Sequence, residues 1–529
     1  MMKILVSDNV SESALGILRA ESSFNVVYLA GKKDGVKEEI RDAEALVIRS
    51  ATKVTADLLA TAPKLRAIGR AGVGIDNVDL DAATQKGIVV MNTPGGNAAS
   101  VAEQTLGFML ALARHIPQAN ASMKAGQWEK KKFMGYELRG KRLGLIGLGM
   151  IGMDVARLAQ AFQMEVIAHD PFVSSLVASQ QNVKLVSLEK VLRSSDYISL
   201  HCSATPETLG LLNGHTLSMT KKGVRIVNCA RGELICEADL LQALESGQVA
   251  GAALDVFQKE PPADTRLVNH PEVVVTPHIA GSTEEAQEIV GIRIAEQVRD
   301  YLLQGVARNA VNLPSISAEE YKKLGPYLQL GEKLGSFIGQ IVKGGPTEVR
   351  ISYDGGLADL NTHLVKNSVL KGLLNQVLSE ETQANLINAG TLAQSRAIEV
   401  NELRSARRAA FSNSLGISLR AGEGSASVLG MVGPQDSLRI LGINDIDIEA
   451  PLKGTILYIR NQDVPGVIGR VGTVLGEAKV NIANFNLGRN PQLKEAIGLV
   501  SVDQNVPDGI LKEIQAISAV RLARVIKLD

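Results

Sequence analysis

The sequence predicts an α/β protein over residues 1–313, followed by two smaller α+β units. Three observations carry this. Short β-type runs alternate with amphipathic helical runs up to about residue 286, the pattern of βαβ units with a mostly parallel sheet. One of those runs ends in a glycine-rich turn that opens a helix. After Leu313–Pro314 the alternation stops and the pattern changes twice more.

The glycine-rich turn is Arg142–Leu143–Gly144–Leu145–Ile146–Gly147–Leu148–Gly149–Met150–Ile151–Gly152. A strand-type run meets Gly-x-Gly-x-x-Gly, and Val155, Ala156, Leu158, Ala159 and Phe162 follow in a helical pattern. In a dinucleotide site Gly147 makes the tight turn, Gly149 admits the pyrophosphate, and Gly152 lets the helix pack on the sheet. A second run, Glu165–His169, ends in Asp170, 18 residues beyond Gly152. An acid there accepts from ribose hydroxyls and repels a 2′-phosphate, which favours NAD over NADP. The bland alternative is an ordinary βαβ turn with a solvated acid. The complete order of strand, turn, helix, strand and acid weighs against it.

Composition excludes several classes. Lys and Arg balance Asp and Glu, 56 against 56, so no general nucleic-acid or membrane-surface role is expected. Aromatic residues are 3% of the chain, too few for single-strand stacking surfaces. Cys202, Cys229 and Cys236 form neither a disulfide framework nor a zinc spacing, and the 7 histidines show no ligand-type pairing, so no metal is expected. Lys3–Ser7 is already strand-like, there is no signal-peptide layout, and no apolar run suits a bilayer. A cytoplasmic protein is the expectation.

In chain order, strands are expected at Lys3–Ser7, Asn25–Leu29, Ala45–Arg49, Leu65–Gly69 and Ile88–Asn92. Ligands of such sheets sit at the C-terminal strand ends. Arg49 and Arg70 stand there, and Gly72 and Gly74 follow Arg70, so that backbone N–H groups can converge on an anion. Each arginine alone is as readily a solvated strand-end charge. Together they point to an anionic substrate.

Thr93–Pro94–Gly95–Gly96–Asn97 is a breaker, expected to be a hinge. Ser100-x-x-Glu103 is expected to be a capping box for the helix behind it. Trp128, followed by Lys130, Lys131 and Lys132, suits a subunit-interface anchor, with a loop anchor as the plainer reading. Alternation resumes at Arg142–Ile146, Glu165–Ala168, Lys184–Val186, Tyr197–His201, Arg225–Asn228, Val249–Leu254 and Val273–Thr276. Gly281–Glu285 then caps a long helix, reaching about Leu303, that is expected to cross back to the first sheet. The expected division is a discontinuous flavodoxin-like substrate domain, 1–97 with 287–313, around a Rossmann domain, 98–286.

Three strand ends of this second region carry polar side chains: Arg231, Glu260 and His278. Oxidising a secondary alcohol beside a carboxylate needs a base, for which His278 has the right chemistry. It needs a carboxylate to orient the imidazolium, for which Glu260 is the candidate. It needs a cation for the substrate carboxylate, and the Arg231 guanidinium can bind it bidentately. Singly each has a structural explanation; jointly, behind a dinucleotide motif, they form a site.

The segments Arg49–Ser50–Ala51–Thr52, Gly69–Arg70–Ala71–Gly72–Val73–Gly74–Ile75–Asp76–Asn77–Val78–Asp79, Val227–Asn228–Cys229–Ala230–Arg231–Gly232 and Pro277–His278–Ile279–Ala280–Gly281–Ser282–Thr283 resemble the D-isomer-specific 2-hydroxyacid dehydrogenases. The resemblance spans residues 3–313 and, more loosely, the rest. It implies catalysis by Arg231, Glu260 and His278. It implies NAD contacts at Val73, Met150, Ile151, Asp170, Cys202, Cys229, Ala230, Asp255 and the His278–Gly281 segment. It puts Arg49, Ser50 and Arg70 on the phosphate side of the substrate, and the Trp128 loop at a neighbouring subunit. Glu233 stands where the family often has glycine.

Residues 314–451 show a Leu–Gly periodic stretch, a β run Glu348–Tyr353, a helix around Leu360–Leu378, and strands at Val428–Val432 and Leu438–Leu441. They resemble the intervening domain of the family's long forms. Arg404, Arg407 and Arg408 could gather an anion there, although a solvated helix face is the favoured reading. From 452 the order βαββαβ is ferredoxin-like, and Asn461–Gly469 with Val480–Asn484 resembles an ACT regulatory domain. Asn461, Asp463 and Asn481 match positions that bind an amino acid, L-serine in this setting, between paired copies.

The resemblance implies NAD-dependent oxidation of 3-phospho-D-glycerate to 3-phosphohydroxypyruvate by a homo-oligomer, a dimer of dimers. The alternatives are a related reductase of 2-oxoglutarate or hydroxypyruvate, and an NAD-sensing interaction protein.

Overall fold

The computed structural model describes residues 1–528 except 33–34, 263, 315–317, 343, 379–382, 406–412 and 423. Five parallel strands form the first sheet: β1 (Met2–Val6), β2 (Phe24–Tyr28), β3 (Ala45–Ile48), β4 (Ala67–Arg70) and β5 (Val89–Met91). Their order is β2-β1-β3-β4-β5. The runs are continuously apolar because a parallel sheet is covered on both faces. Ile4, Val6, Val47 and Val89 enter the core on one side, and Leu5, Leu46, Ile48 and Ile68 that on the other.

The helix Glu284–Gln304 closes the first of those faces with Val290, Ile294, Val298 and Leu302. It follows the second sheet in sequence yet packs on the first, with each such side chain contributing about 1.5–3 kcal/mol on burial. Thr283 caps its start by accepting from the Ala286 N–H, and Gly305, at φ 73°, ends it.

The second sheet has seven parallel strands: β6 (Arg142–Ile146), β7 (Glu165–His169), β8 (Lys184–Leu185), β9 (Tyr197–Leu200), β10 (Val224–Asn228), β11 (Val249–Leu254) and β12 (Val273–Val275). The order is β12-β11-β10-β9-β6-β7-β8, so the chain reverses its direction of winding between β6 and β9. A crevice opens at the carboxyl ends of strands flanking such a point.

The helix Ala98–Arg114 links the two sheets, and its start differs from the expected capping box. Asn97 holds the N-cap position without a side-chain cap bond, so Ser100 already lies inside the helix. Its hydroxyl is instead 2.8 Å from that of Thr283. The breaker runs directly into helical backbone, which leaves the Ser-x-x-Glu pattern one turn too late to cap.

A third sheet contains β13 (Pro346–Asp354), β14 (Glu399–Ser405), β15 (Ser414–Ala421), β16 (Gly424–Val432), β17 (Leu438–Ile443) and β18 (Ile446–Pro451), in the order β14-β13-β15-β16-β17-β18. The Leu–Gly stretch forms the helix Ala318–Ile341. The long helix expected around Leu360–Leu378 is a 3-10 turn, Gly355–Asp359, and then a helix, Thr362–Leu374, capped by Asn361. Arg404 lies on β14, not on a helix, and donates to the Thr362 hydroxyl at 2.6 Å. Arg407 and Arg408 lie outside the described residues.

The fourth sheet is antiparallel, β20-β21-β19-β22, from β19 (Gly454–Gln462), β20 (Ile482–Asn490), β21 (Glu495–Val502) and β22 (Val520–Leu528). Helices Val467–Glu477 and Asp508–Gln515 join these strands in βαββαβ order. The third and fourth sheets share one core: Leu334, Phe337, Tyr353, Tyr458, Ile497 and Ile526 belong to a single cluster. Phe337 and Tyr458 meet edge to face, centroids 6.4 Å apart. This double unit grips the first sheet near β5: Asn385 Nδ2 donates to the Gly87 carbonyl at 2.8 Å, and Asn388 Nδ2 to that of Gln85 at 3.3 Å. Among the described residues no helix is long and apolar enough to cross a membrane.

Candidate active site

The turn after β6 is shaped by three glycines with different surroundings. Gly147 has φ +97°, and a Cβ there would stand 2.6 Å from the His201 carbonyl oxygen and 2.8 Å from the Cys202 nitrogen. The turn therefore runs against the end of β9. A Cβ on Gly152 would come within 2.4 Å of the Gly147 oxygen, whereas one on Gly149 would meet nothing within 4 Å among the described residues. Gly149 is also the N-cap of the helix Met150–Ala161 and carries no side-chain cap. Open space at an uncapped helix N-terminus is the cradle a pyrophosphate needs. Met150 leans out over Gly95 in the 93–97 turn, and Ile151 packs partly against the core.

Asp170 follows β7. Its Oδ2 accepts from Leu148 N–H at 2.7 Å and its Oδ1 from Phe172 N–H at 2.8 Å, so the carboxylate is fixed beside the glycine turn. Each oxygen keeps a second lone pair, as ribose recognition requires. Cys202 borders the same turn, and burial pushes its thiol pKa up. These features fit a bound NAD.

Beneath the turn His201 is half-buried. Its Nε2 lies 2.8 Å from the Ser199 hydroxyl, and its Nδ1 has no partner among the described residues. Burial lowers its pKa to about 4.

His278 and Glu260 come together. His278 Nδ1 is 2.8 Å from Glu260 Oε2, and both side chains face solvent in part. Glu260 Oε1 accepts from Phe257 N–H at 3.2 Å. A carboxylate on Nδ1 sets the tautomer and leaves Nε2 as the outward-facing base. His278 adopts φ +55°, a conformation that costs a non-glycine residue about 1 kcal/mol or more.

Asp255 holds that backbone in place. It is 0% exposed, and its carboxylate accepts from the Ile279 and Ala280 N–H groups, each at 2.8 Å, and from the Thr276 hydroxyl. Asp255 was expected at the dinucleotide; in the structure its hydrogen bonds go to the His278 segment. Gly281 closes that segment against Asn97, whose Nδ2 would lie 2.5 Å from a Cβ there.

Arg231 sits in the turn after β10. Asn228, buried beneath, accepts from Ala230 N–H at 3.0 Å and donates to the Arg231 carbonyl at 2.8 Å. A Cβ on Gly232 would fall 1.9 Å from the Phe257 carbonyl carbon, so the Arg231 turn abuts the loop that carries Glu260. Arg231, Glu260 and His278 are thus joined through one continuous set of contacts. Cys229, expected to touch the cofactor, is 8% exposed; burial raises its thiol pKa to about 12, against a hydrogen bond with Thr105.

Opposite them stands the end of the first sheet. The Arg70 guanidinium lies over the bare backbone of Gly72, where a Cβ would collide with Nη1. Its Nε has no partner among the described residues. Burial pulls its pKa down; Asp76 opposes this, and Arg231 and Arg49 add to it. The Gly74 backbone lies under Arg231 Nη2 in the same way. Arg49 Nη1 donates to the Asn9 carbonyl at 3.3 Å, Ser50 is exposed beside it, and the Val73 carbonyl accepts from Asn92 Nδ2 at 2.6 Å.

Sequence reasoning missed the supports of this wall. Buried Asp8 accepts from Arg49 N–H at 2.7 Å, from Thr52 N–H at 3.2 Å and from the Thr52 hydroxyl at 2.6 Å. Asn77 Nδ2 donates to the Arg49 and Thr52 carbonyls at 2.7 and 2.6 Å. Asp8 comes two residues after β1, and that strand-end position was the available signal. Asn228 and Asp76 were visible only as parts of the motifs.

The Trp128 side chain is 80% exposed, with Met134 and Tyr136 also exposed. In the fourth sheet the expected amino-acid ligands are engaged. Asp463 is paired with Arg489, whose Nε lies 2.9 and 3.0 Å from its two oxygens. Asn461 is buried and donates to the Gln462 carbonyl, while Asn481 donates to Asp503 at 2.5 Å. Asn481 precedes β20 and Asp463 follows β19, which puts them at opposite ends of the sheet.

Comparison with known proteins agrees with this layout. Residues 106–280 match the NAD-binding domain of D-isomer-specific 2-hydroxyacid dehydrogenases, 323–444 the D-3-phosphoglycerate dehydrogenase intervening domain, and 455–519 the ACT domain. The chain is 41% identical over 528 residues to D-3-phosphoglycerate dehydrogenase of Bacillus subtilis, covering 100% of both. It is likewise 41% identical over 529 residues to that of Methanocaldococcus jannaschii, again 100% of both. A crystal structure of Aquifex aeolicus D-lactate dehydrogenase complexed with NAD and lactic acid matches 59% of this chain and 100% of its own, with 28% identity and a TM-score of 0.51.

Proposed function

We propose the residue roles that follow on the premise that this chain belongs to the D-3-phosphoglycerate dehydrogenase family. It is an NAD-dependent oxidoreductase that converts 3-phospho-D-glycerate to 3-phosphohydroxypyruvate, the first step of phosphorylated L-serine biosynthesis. The Gly147–Gly152 turn, the helix behind it and Asp170 hold the dinucleotide. When bound, its nicotinamide supplies the hydride acceptor.

The chain's own residues manage the proton and the anions. His278 Nε2 takes the hydroxyl proton of the substrate, and Glu260 on the far side of the ring stabilises the imidazolium that results. In the reverse direction the same imidazolium returns the proton. Arg231 and the Gly72–Gly74 amides hold the carboxylate and draw electron density toward the reacting oxygen. Arg49, Ser50 and Arg70 receive the phosphate. The observation that carries these roles is the His278–Glu260 pair, facing the cleft and braced through Phe257 and Gly232 against the Arg231 turn.

The ACT domain suits regulation by an amino acid, for which L-serine is the ligand we favour. It would bind between paired copies, and its ammonium group would have to compete with Arg489 for Asp463. We also assign a cytoplasmic homotetramer, with the exposed Trp128 segment at a subunit boundary.

One assay tests the whole reading: NAD reduction by the purified full chain with 3-phospho-D-glycerate, with D-glycerate, and with added L-serine. The phosphorylated acid is expected to have a kcat/KM about 100-fold or more above that of D-glycerate. Equal values would overturn the substrate assignment, and indifference to serine would overturn the regulatory one.

A further inference from the structure

An ion pair crosses the cleft between the two parallel sheets. Arg231, after β10, brings Nη2 to 3.3 Å from Oδ2 of Asp76, after β4. Both groups rest on one glycine: a Cβ on Gly74 would be 2.4 Å from that Nη2 and 2.7 Å from that Oδ2. Arg231 is the more sheltered partner, with 31% of its side chain exposed against 72% for Asp76. Asp8, a second carboxylate near Arg70, is already bonded to the Arg49 N–H and to Thr52. Asp76 therefore presents its carboxylate to Arg231 from across the cleft.

We infer that Asp76 is a resident stand-in for the substrate's carboxylate, holding Arg231 until the substrate displaces it and retaking it as product leaves. This rests on the reading that Arg231 and the Gly72–Gly74 turn receive that carboxylate. The chemistry is matched in kind: one carboxylate replaces another on the same guanidinium and over the same bare backbone. Arg231 thus need not be stripped of its anionic partner without a replacement, which would be costly for a half-buried cation. The exchange costs every substrate carboxylate the same. A phosphorylated acid gains its hold on Arg49 and Arg70 in addition, whereas an unphosphorylated 2-hydroxy acid must displace Asp76 with its carboxylate alone.

The test is Asp76→Asn in the full chain, with Asp76→Ser as a second variant should the first fold poorly. A pair this exposed contributes at most about 1 kcal/mol, so the effect is about two- to fivefold. The expected result is a fall of that size in KM for 3-phospho-D-glycerate, with kcat kept within about twofold. Glycolate, a competitor with a carboxylate and no phosphate, should bind more tightly by the same factor, and inorganic phosphate by less. A rise in KM would make Asp76 a strut for Arg231 and overturn the inference. Unchanged constants, or equal gains for glycolate and phosphate, would also overturn it. Arg231→Ala, measured alongside, separates the two readings. If it leaves KM and glycolate inhibition intact, the carboxylate assignment itself fails; if it raises both constants, the Asp76 effect should vanish in the double variant.

Discussion

His278 Nδ1 lies 2.8 Å from Glu260 Oε2, and the other oxygen of Glu260 is tied to the Phe257 N–H. The acid is therefore aimed from behind, and the ring cannot turn without losing it. Replacing His278 by Ala is expected to lower turnover by about two to four orders of magnitude with NAD affinity nearly unchanged. Glu260→Gln keeps the shape and loses the charge, and should lower kcat by about one to three orders of magnitude. Steady-state kinetics beside NAD titration distinguish these from loss of the fold.

Arg49 and Arg70 line the first-sheet wall, with Arg70 Nε unpartnered among the described residues. Changing both to Ala should raise KM for 3-phospho-D-glycerate by about 100-fold or more, since charge-assisted bonds to phosphate are lost. KM for unphosphorylated 2-hydroxy acids should move far less. A parallel loss on both substrates would mean that the wall positions the carboxylate instead.

Gly232 lets two loops meet where a Cβ would fall 1.9 Å from the Phe257 carbonyl carbon. Backbone has no rotamer with which to yield. Gly232→Ala is expected to destabilise by about 1–3 kcal/mol and to lower kcat at least about tenfold, because the Arg231 turn moves off the Glu260 loop. Thermal unfolding and kinetics on the same preparation check both.

His201 is held neutral by burial, with its pKa lowered to about 4 from an ordinary value near 6.5. The unfolded chain binds a proton there as pH falls below about 6.5, and the folded chain does so only near the lowered value. Stability is expected to fall with pH across that window by up to about 3 kcal/mol from this group. His201→Gln should flatten that part of the profile in urea unfolding measured from pH 7 downward.

What the sequence made legible is what lies close along the chain or at strand ends. The glycine turn, its helix and Asp170 are one local word, and short apolar runs between helical patterns located the parallel strands. Arg231, Glu260 and His278 could be singled out because each is a polar residue just past an apolar run. Asp8 also stands just past an apolar run, but its role shows only with its partners Arg49 and Thr52, 41 and 44 residues away. Asp463 shows the same limit from the other side: a polar loop residue looks available until Arg489, 26 residues on, is folded against it. Capping at Ser100 failed for a more local reason, because the breaker and the helix share no spacer.

The common core of the third and fourth sheets, with Phe337 edge-on to Tyr458, makes the two C-terminal units one packed handle. That handle is fastened at Gln85 and Gly87, just before the strand that leads into residues 92–97. The C-terminal units therefore touch the first sheet just ahead of the segment through which the chain crosses to the second.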